Sequence, residues 1–260
     1  MENYTYEEIA GMIDHALLHP TLSEEQLASG CQLADRYGVA TVCVKPCDVK
    51  WAAQFLKGSK IKVCTVIGFP HGVNLTEIKV KETELACEQG ATEVDMVLNT
   101  GRAISGDWDY VEADIRAVCD AAHSRNAKLK VIFENDFLSQ GGVGLNSEKL
   151  KKKLCQICGN AGVDWVKTST GFGYVPQSDE SMATLGATIE DVSLMVQSCP
   201  PGVQVKAAGG VKKLSTLLEM RSIGATRIGT SSTEIILNEC RARLGMPPLS
   251  PNSKSTPSGY

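Results

Sequence analysis

Lysine is a rare guest inside an apolar strand, because an unpartnered buried ammonium costs far more than a buried alkyl chain. This chain carries one at the end of Trp165-Val166-Lys167, followed by Thr168-Ser169-Thr170-Gly171. It carries another in Val205-Lys206, followed by Ala207-Ala208-Gly209-Gly210. Both stretches read as short buried strands that deliver a lysine to the strand's C-terminal end and then turn through small residues. A lysine near its ordinary value of about 10.4 is protonated at neutral pH and is a poor nucleophile. Desolvation and a second cation nearby both free the amine lone pair for attack on a carbonyl. Lys167 and Lys206 suit such a pairing, and Asp95 is a candidate to relay protons through water. The plainer alternative makes each lysine half of a buried ion pair with Asp95, Asp14 or Glu134.

Elements that would position these side chains alternate along the chain. Apolar runs occur at Thr41–Val44, Lys62–Ile67, Glu93–Leu98, Lys128–Phe133, Trp165–Thr168, Gln204–Ala207 and Arg227–Gly229, with helix-period segments between them. With Ile13–Leu18 as the first, eight strands are each followed by a helix. Repeated βα units predict a parallel sheet with right-handed crossovers, and eight predict a closed TIM (β/α)8 barrel. A doubly wound sheet is the lesser alternative, weakened by the lack of G-x-G-x-x-G after the first strand. Thr5 opens a short helical extension before the barrel, and Thr21 or Ser23 caps the helix that ends near Gly38. The expected organisation is one barrel domain over residues 1–246 and a flexible Pro/Ser-rich tail over 247–260 ending in Tyr260.

Composition excludes several classes. A formal charge of -4 with no basic face argues against nucleic-acid partners; the densest basic run, Lys149 to Lys153, reads as a solvated helix face. No span approaches the roughly 18 apolar residues of a membrane helix, and Met1-Glu2-Asn3-Tyr4 lacks a signal peptide's character. Ten cysteines scattered through apolar segments read as reduced thiols of a cytoplasmic protein. The histidines, His15, His19, His71 and His123, are not spaced as a ligand set, so neither metal nor cofactor is expected.

In a parallel barrel every strand's C-terminal end faces one rim, where the active site sits. Those ends bring together Asp14, Cys43, Asp95, Glu134, Lys167 and Lys206. Gly171, Gly209-Gly210 and Ser231-Ser232 would surround the same rim as a phosphate cradle, with backbone N–H groups and a helix N-terminus facing a dianion. Cys43 reads as core, although a reactive aldehyde would find an exposed thiol there.

These motifs, with Val66-Ile67-Gly68-Phe69-Pro70-His71-Gly72, Glu93-Val94-Asp95-Met96-Val97 and Arg227-Ile228-Gly229-Thr230-Ser231-Ser232, resemble the deoxyribose-phosphate aldolase family along nearly the whole chain. The resemblance implies a class I aldolase that cleaves 2-deoxy-D-ribose 5-phosphate to acetaldehyde and D-glyceraldehyde 3-phosphate. It makes Lys167 the Schiff-base lysine, Lys206 the lysine that tunes it, and Asp95 the proton relay. Asp14, Cys43, Thr168, Gly171, Gly209, Gly210, Ser231 and Ser232 would bind the phosphorylated sugar and aldehyde. Bacterial members can end in a tyrosine that swings into the site; Tyr260 stands in that place, and is otherwise an idle tail residue. The assembly is left open, with a homodimer among the possibilities. Ala16, His19 and Asn135 depart from the family pattern, as does the insertion Phe172 to Glu180, and these touch the pocket rim. A related aldolase with another phosphorylated substrate, or a silent phosphosugar-binding barrel, are the rival expectations.

Overall fold

The computed structural model describes residues 4–140, 146–247 and 249. Eight strands close a parallel barrel in the order of the chain: β1 (Ile13–Leu17), β2 (Thr41–Val44), β3 (Lys62–Ile67), β4 (Glu93–Val97), β5 (Lys128–Ile132), β6 (Trp165–Lys167), β9 (Gln204–Ala208) and β10 (Arg227–Thr230), with β10 returning to β1. The remaining two strands, β7 (Val175–Pro176) and β8 (Met182–Ala183), pair antiparallel outside the barrel. The helices are α1 (Tyr6–Ala10), α2 (Glu24–Tyr37), α3 (Val49–Phe55), α4 (Thr76–Glu88), α5 (Thr100–Ile104), α6 (Trp108–His123), α7 (Asn135–Leu138), α8 (Ser147–Ala161), α9 (Ile189–Ser198), α10 (Leu214–Ser222) and α11 (Thr233–Arg243). The expected barrel is present, and predicted strand ends fall within about a residue of those observed.

Local chemistry explains the boundaries. Ser23, not Thr21, caps α2, accepting from the Gln26 N–H while Gln26 returns to the Ser23 N–H. Gly38 ends that helix in the left-handed region at φ 66°, as Gly162 does for α8 at φ 78°. Leu27, Cys31 and Ala34 of α2 are buried in the shell of apolar side chains between helices and barrel wall. A second small cluster, Leu18, Cys43, Cys64 and Val66 with Phe69 against it, fills one side of the barrel's interior near the mouth.

Two features depart from expectation. The short helices α5 and α7 and the β7–β8 ribbon lie where no periodicity was readable, since four or five residues complete scarcely one helical turn. The Lys149–Lys153 run is not uniformly solvated: Lys151 is buried and its Nζ lies 2.5 Å from Asp191 Oδ1, tying α8 to α9. Pro247 and Leu249 are described but most of the predicted tail, Tyr260 included, lies outside the described residues. No helix among the described residues is long and apolar enough to cross a membrane.

Candidate active site

Alternation along the strands turns every second side chain into the barrel, and at several of those positions the chain has placed charge instead of hydrocarbon. Asp95 stands at the centre. Its Oδ2 accepts from Lys167 Nζ and from Lys206 Nζ, each at 2.8 Å. Its Oδ1 accepts from Lys130 Nζ at 2.8 Å and from the Cys64 thiol at 3.2 Å. Lys206 Nζ also lies 2.5 Å from Asp14 Oδ2, while Asp14 Oδ1 accepts from Thr41 Oγ1 at 2.8 Å and Arg227 Nη1 at 2.6 Å. Below this layer Glu93 takes Lys130 at 2.6 Å and Arg227 at 2.9 Å, and the Arg227 guanidinium lies over the Trp165 ring, 4.9 Å from its centroid.

These side chains are almost wholly buried, so each ionisation depends on its neighbours. Burial alone would raise the Asp14 and Asp95 carboxyls; the surrounding cations outweigh it and hold both well below the usual carboxylate range. Burial would conversely depress Lys206 and Lys130, but Asp14 and Asp95 reverse the balance and keep both firmly charged. Lys206 is therefore an ammonium beside Lys167, held on the same carboxylate oxygen.

Above the charged layer a cleft opens at the barrel's mouth. Its walls include Asp14, Cys43, Lys167, Lys206, Gly171, Gly209, Gly210, Ser231 and Ser232, so the structure gathers nearly all of the site residues expected from sequence. Asp95 lies beneath the cleft rather than in its wall, Tyr260 lies outside the described residues, and Thr168 turns away. Its hydroxyl donates to the Ala208 carbonyl and accepts from the Ala208 N–H, both at 3.0 Å, which stitches the ends of β6 and β9 together away from the cleft. Ala16 and Leu18 supply apolar wall, and Lys212 places an exposed cation at the edge beside Gly209-Gly210.

The segment from Phe172 to Gly186, which contains the insertion, is fastened to this rim at both ends. Asp136 accepts from the Leu185 N–H at 3.0 Å and the Gly186 N–H at 3.1 Å. Gly186 presses on Gly209 so closely that a Cβ there would come within 2.6 Å of the Gly209 backbone. Phe172 meets Phe69 edge to face, with centroids 5.4 Å apart.

Sequence reading listed strand ends and so missed Lys130, Glu93 and Arg227, one layer deeper. The signal was available: Glu93-x-Asp95 and Lys128-x-Lys130 repeat charge at the period of two that a strand uses for one face. Glu134, expected only as one possible ion-pair partner of the lysines, is held differently. That carboxylate accepts from the Thr170 N–H and hydroxyl, and burial pushes its pKa up to about 7. An acid raised in the folded state gives stability that is fully present below its ordinary value, about 4.5, and lost as pH rises through about 7. Replacing it by Glu134→Gln is expected to remove that trend, worth about 3 kcal/mol across the window, as read from urea midpoints at a series of pH values. A parallel decline in wild type and variant would show that the trend arises elsewhere.

A parallel eight-stranded barrel with amines and a carboxylate buried at its mouth defines an enzyme of the TIM-barrel class equipped for carbonyl chemistry. Residues 9–233 match the DeoC/LacD family aldolases, and the chain belongs to that family. It is 45% identical to a deoxyribose-phosphate aldolase of Rhodopirellula baltica over 260 residues, covering 100% of both chains. With a deoxyribose-phosphate aldolase of a Geobacillus species it shares 47% identity over 232 residues, 89% of this chain and 94% of the other. Among solved structures it resembles an aldolase designated QR15, with a TM-score of 0.79, 38% identity, and 91% and 97% of the two chains covered. A deoxyribose phosphate aldolase from Aeropyrum pernix, described as tetrameric, gives a TM-score of 0.79 at 28% identity, covering 92% of this chain and 93% of that one.

Proposed function

We propose that this chain reversibly cleaves 2-deoxy-D-ribose 5-phosphate into acetaldehyde and D-glyceraldehyde 3-phosphate through a Schiff base on Lys167. The observation that carries the reading is the shared Asp95 Oδ2, which holds Lys167 and the Lys206 ammonium side by side in the cleft. Within this cluster of described side chains, four potential cations (Lys130, Lys167, Lys206, Arg227) face three carboxylates (Asp14, Glu93, Asp95). Lys167 has the fewest carboxylate partners of the four and lines the cleft, so it is the amine best placed to meet a substrate carbonyl.

Lys167 Nζ would then attack the C1 aldehyde of the open-chain sugar, and loss of water leaves an iminium. Removal of the C3 hydroxyl proton, relayed through water to Asp95, breaks the C2–C3 bond; the electron pair passes into the iminium and leaves an enamine. Protonation at C2, with Lys206 and Asp95 governing the relay, gives the acetaldehyde iminium, and water releases the product. The apolar wall of Ala16, Leu18 and Cys43 favours a C2 methylene, since it offers no partner for a hydroxyl there. Gly171, Gly209, Gly210 and Ser231 with the start of α11 after Ser232 would take the phosphate, and Lys212 would supply charge at the edge. Tyr260 belongs to the same proposal as a tail residue assisting the C2 proton transfer.

Borohydride reduction in the presence of acetaldehyde tests the assignment. We expect one added ethyl group per chain, located on Lys167 by peptide mapping and absent in Lys167→Ala. A label on Lys130 or Lys206 would overturn it. A second reading, a different phosphorylated substrate, draws on the Phe172–Phe69 contact that the insertion adds at the rim; comparing turnover of deoxyribose and ribose 5-phosphates separates the two. A homodimer and a cytoplasmic site of action complete the proposal, the latter in keeping with the free thiols of all ten cysteines.

A further inference from the structure

One pair of thiols takes no part in the bond-making steps of this chemistry, although one of them stands in the apolar wall. Cys43 of β2 lines the cleft, and Cys64 of β3 stands directly beside it in the sheet as its Cα partner. Both side chains turn into the barrel, Cys64 fully buried and Cys43 2% exposed. The two sulfurs and an Asp95 carboxylate oxygen all lie within 4.8 Å of one another, and Cys64 Sγ is 3.2 Å from Asp95 Oδ1. A tetrahedral zinc with bonds of about 2.3 Å to sulfur and about 2.1 Å to oxygen needs S···S and S···O edges of roughly 3.8 and 3.6 Å. We propose that Cys43, Cys64 and Asp95 form a three-ligand site for a thiophilic divalent cation, Zn2+ or Cd2+, and that filling it inhibits the enzyme.

Three physical points support the site. Two soft thiolates with one carboxylate are a donor set that favours such ions over magnesium or calcium. The cations already present do not forbid it, because each bound dication displaces the two thiol protons and leaves the cluster's net charge unchanged. Lys130 now contacts two of the three ligand atoms, Asp95 Oδ1 at 2.8 Å and Cys64 Sγ at 3.3 Å; metal binding requires it to give up both, and it keeps Glu93 at 2.6 Å. Because Cys43 lines the cleft, an ion would enter from the mouth and complete its coordination with a water. An Asp95 committed to a metal through Oδ1 is a weaker acceptor for Lys167 and Lys206 through Oδ2. Inhibition follows from that withdrawal and from the water filling the cleft. Histidine spacing could not reveal this site, which contains no histidine and draws its ligands from three strands.

The test is titration with Cd2+ alone, with Cys47→Ser as the background because Cys47 is the exposed thiol. The thiolate-to-cadmium absorption band reads binding directly, whatever the substrate proves to be. One equivalent should raise the band, release two protons and abolish turnover, and chelator should restore it. Adding Cys43→Ser or Cys64→Ala should weaken binding at least about 100-fold, beyond the loss typical of an outer-sphere partner, with Cys64→Ser as a second replacement at the buried position. A band and inhibition that survive all three replacements would place the metal elsewhere, for instance at Cys155, Cys158 and Cys199. Absence of any stoichiometric band would overturn the site outright.

Discussion

Lys167→Met is expected to reduce turnover of deoxyribose phosphate by a factor on the order of 10^4 or more, because the neighbouring buried amines, Lys206 and Lys130, cannot become the nucleophile without dismantling their ion pairs. Lys206 has Asp14 at 2.5 Å and Asp95 at 2.8 Å, and Lys130 is further from the opening and bound by Glu93 and Asp95. Both are held charged, so neither offers a lone pair. Methionine retains an unbranched apolar stem, and the replacement removes one member of a cation-rich cluster. The variant should therefore fold with a urea midpoint equal to or above that of wild type. Stopped turnover with retained stability separates the loss of a nucleophile from the loss of a fold. Wild-type-like kcat would end the Schiff-base assignment.

Asp95→Asn should have the second largest effect, of a different kind. The amide keeps the size but withdraws the charge on which Lys130, Lys167 and Lys206 converge. Removing one partner of a buried ion network leaves the others uncompensated and costs about 3–5 kcal/mol. A large loss of stability is thus expected alongside a fall in kcat of about 10^2–10^4, the range of a lost proton relay. Its pH dependence carries the sign. Asp95 has a folded value depressed below the ordinary carboxylate range, so it contributes stability above that range, lost as pH falls through the lowered value. The variant should lose less stability on acidification than wild type does. An unchanged acid limb in urea melts would show that Asp95 does not carry the charge assigned to it.

The barrel was readable because its eight apolar runs are separated by helix-period segments, and because Lys167 and Lys206 violate the apolar rule at strand ends. Alternation along a strand gives which face a residue shares, but not which strands close around it. Hence Asp14 could be placed at the mouth, yet its partnership with Arg227, distant in sequence and adjacent in the barrel, could not. Thr168 shows the converse limit: a hydroxyl in the right motif can spend both hydrogen-bonding capacities on the neighbouring strand. The β7–β8 ribbon was opaque for a simpler reason, since two-residue strands leave no period to detect.

The buried charges also bear on how the barrel closes. Parallel strands rich in valine and isoleucine fit one another in several alignments, and sliding one by two residues preserves every inward hydrophobic position. Such a slip of β5 would carry Lys130 away from Glu93 and Asp95 and leave an ammonium facing hydrocarbon, at a cost of several kcal/mol. A slip of β10 would do the same to Arg227, which Asp14 and Glu93 hold across the interior. Salt bridges that contribute little net stability can thus still reject misaligned sheets, so the layer beneath the reacting lysine serves as a combination lock on strand alignment.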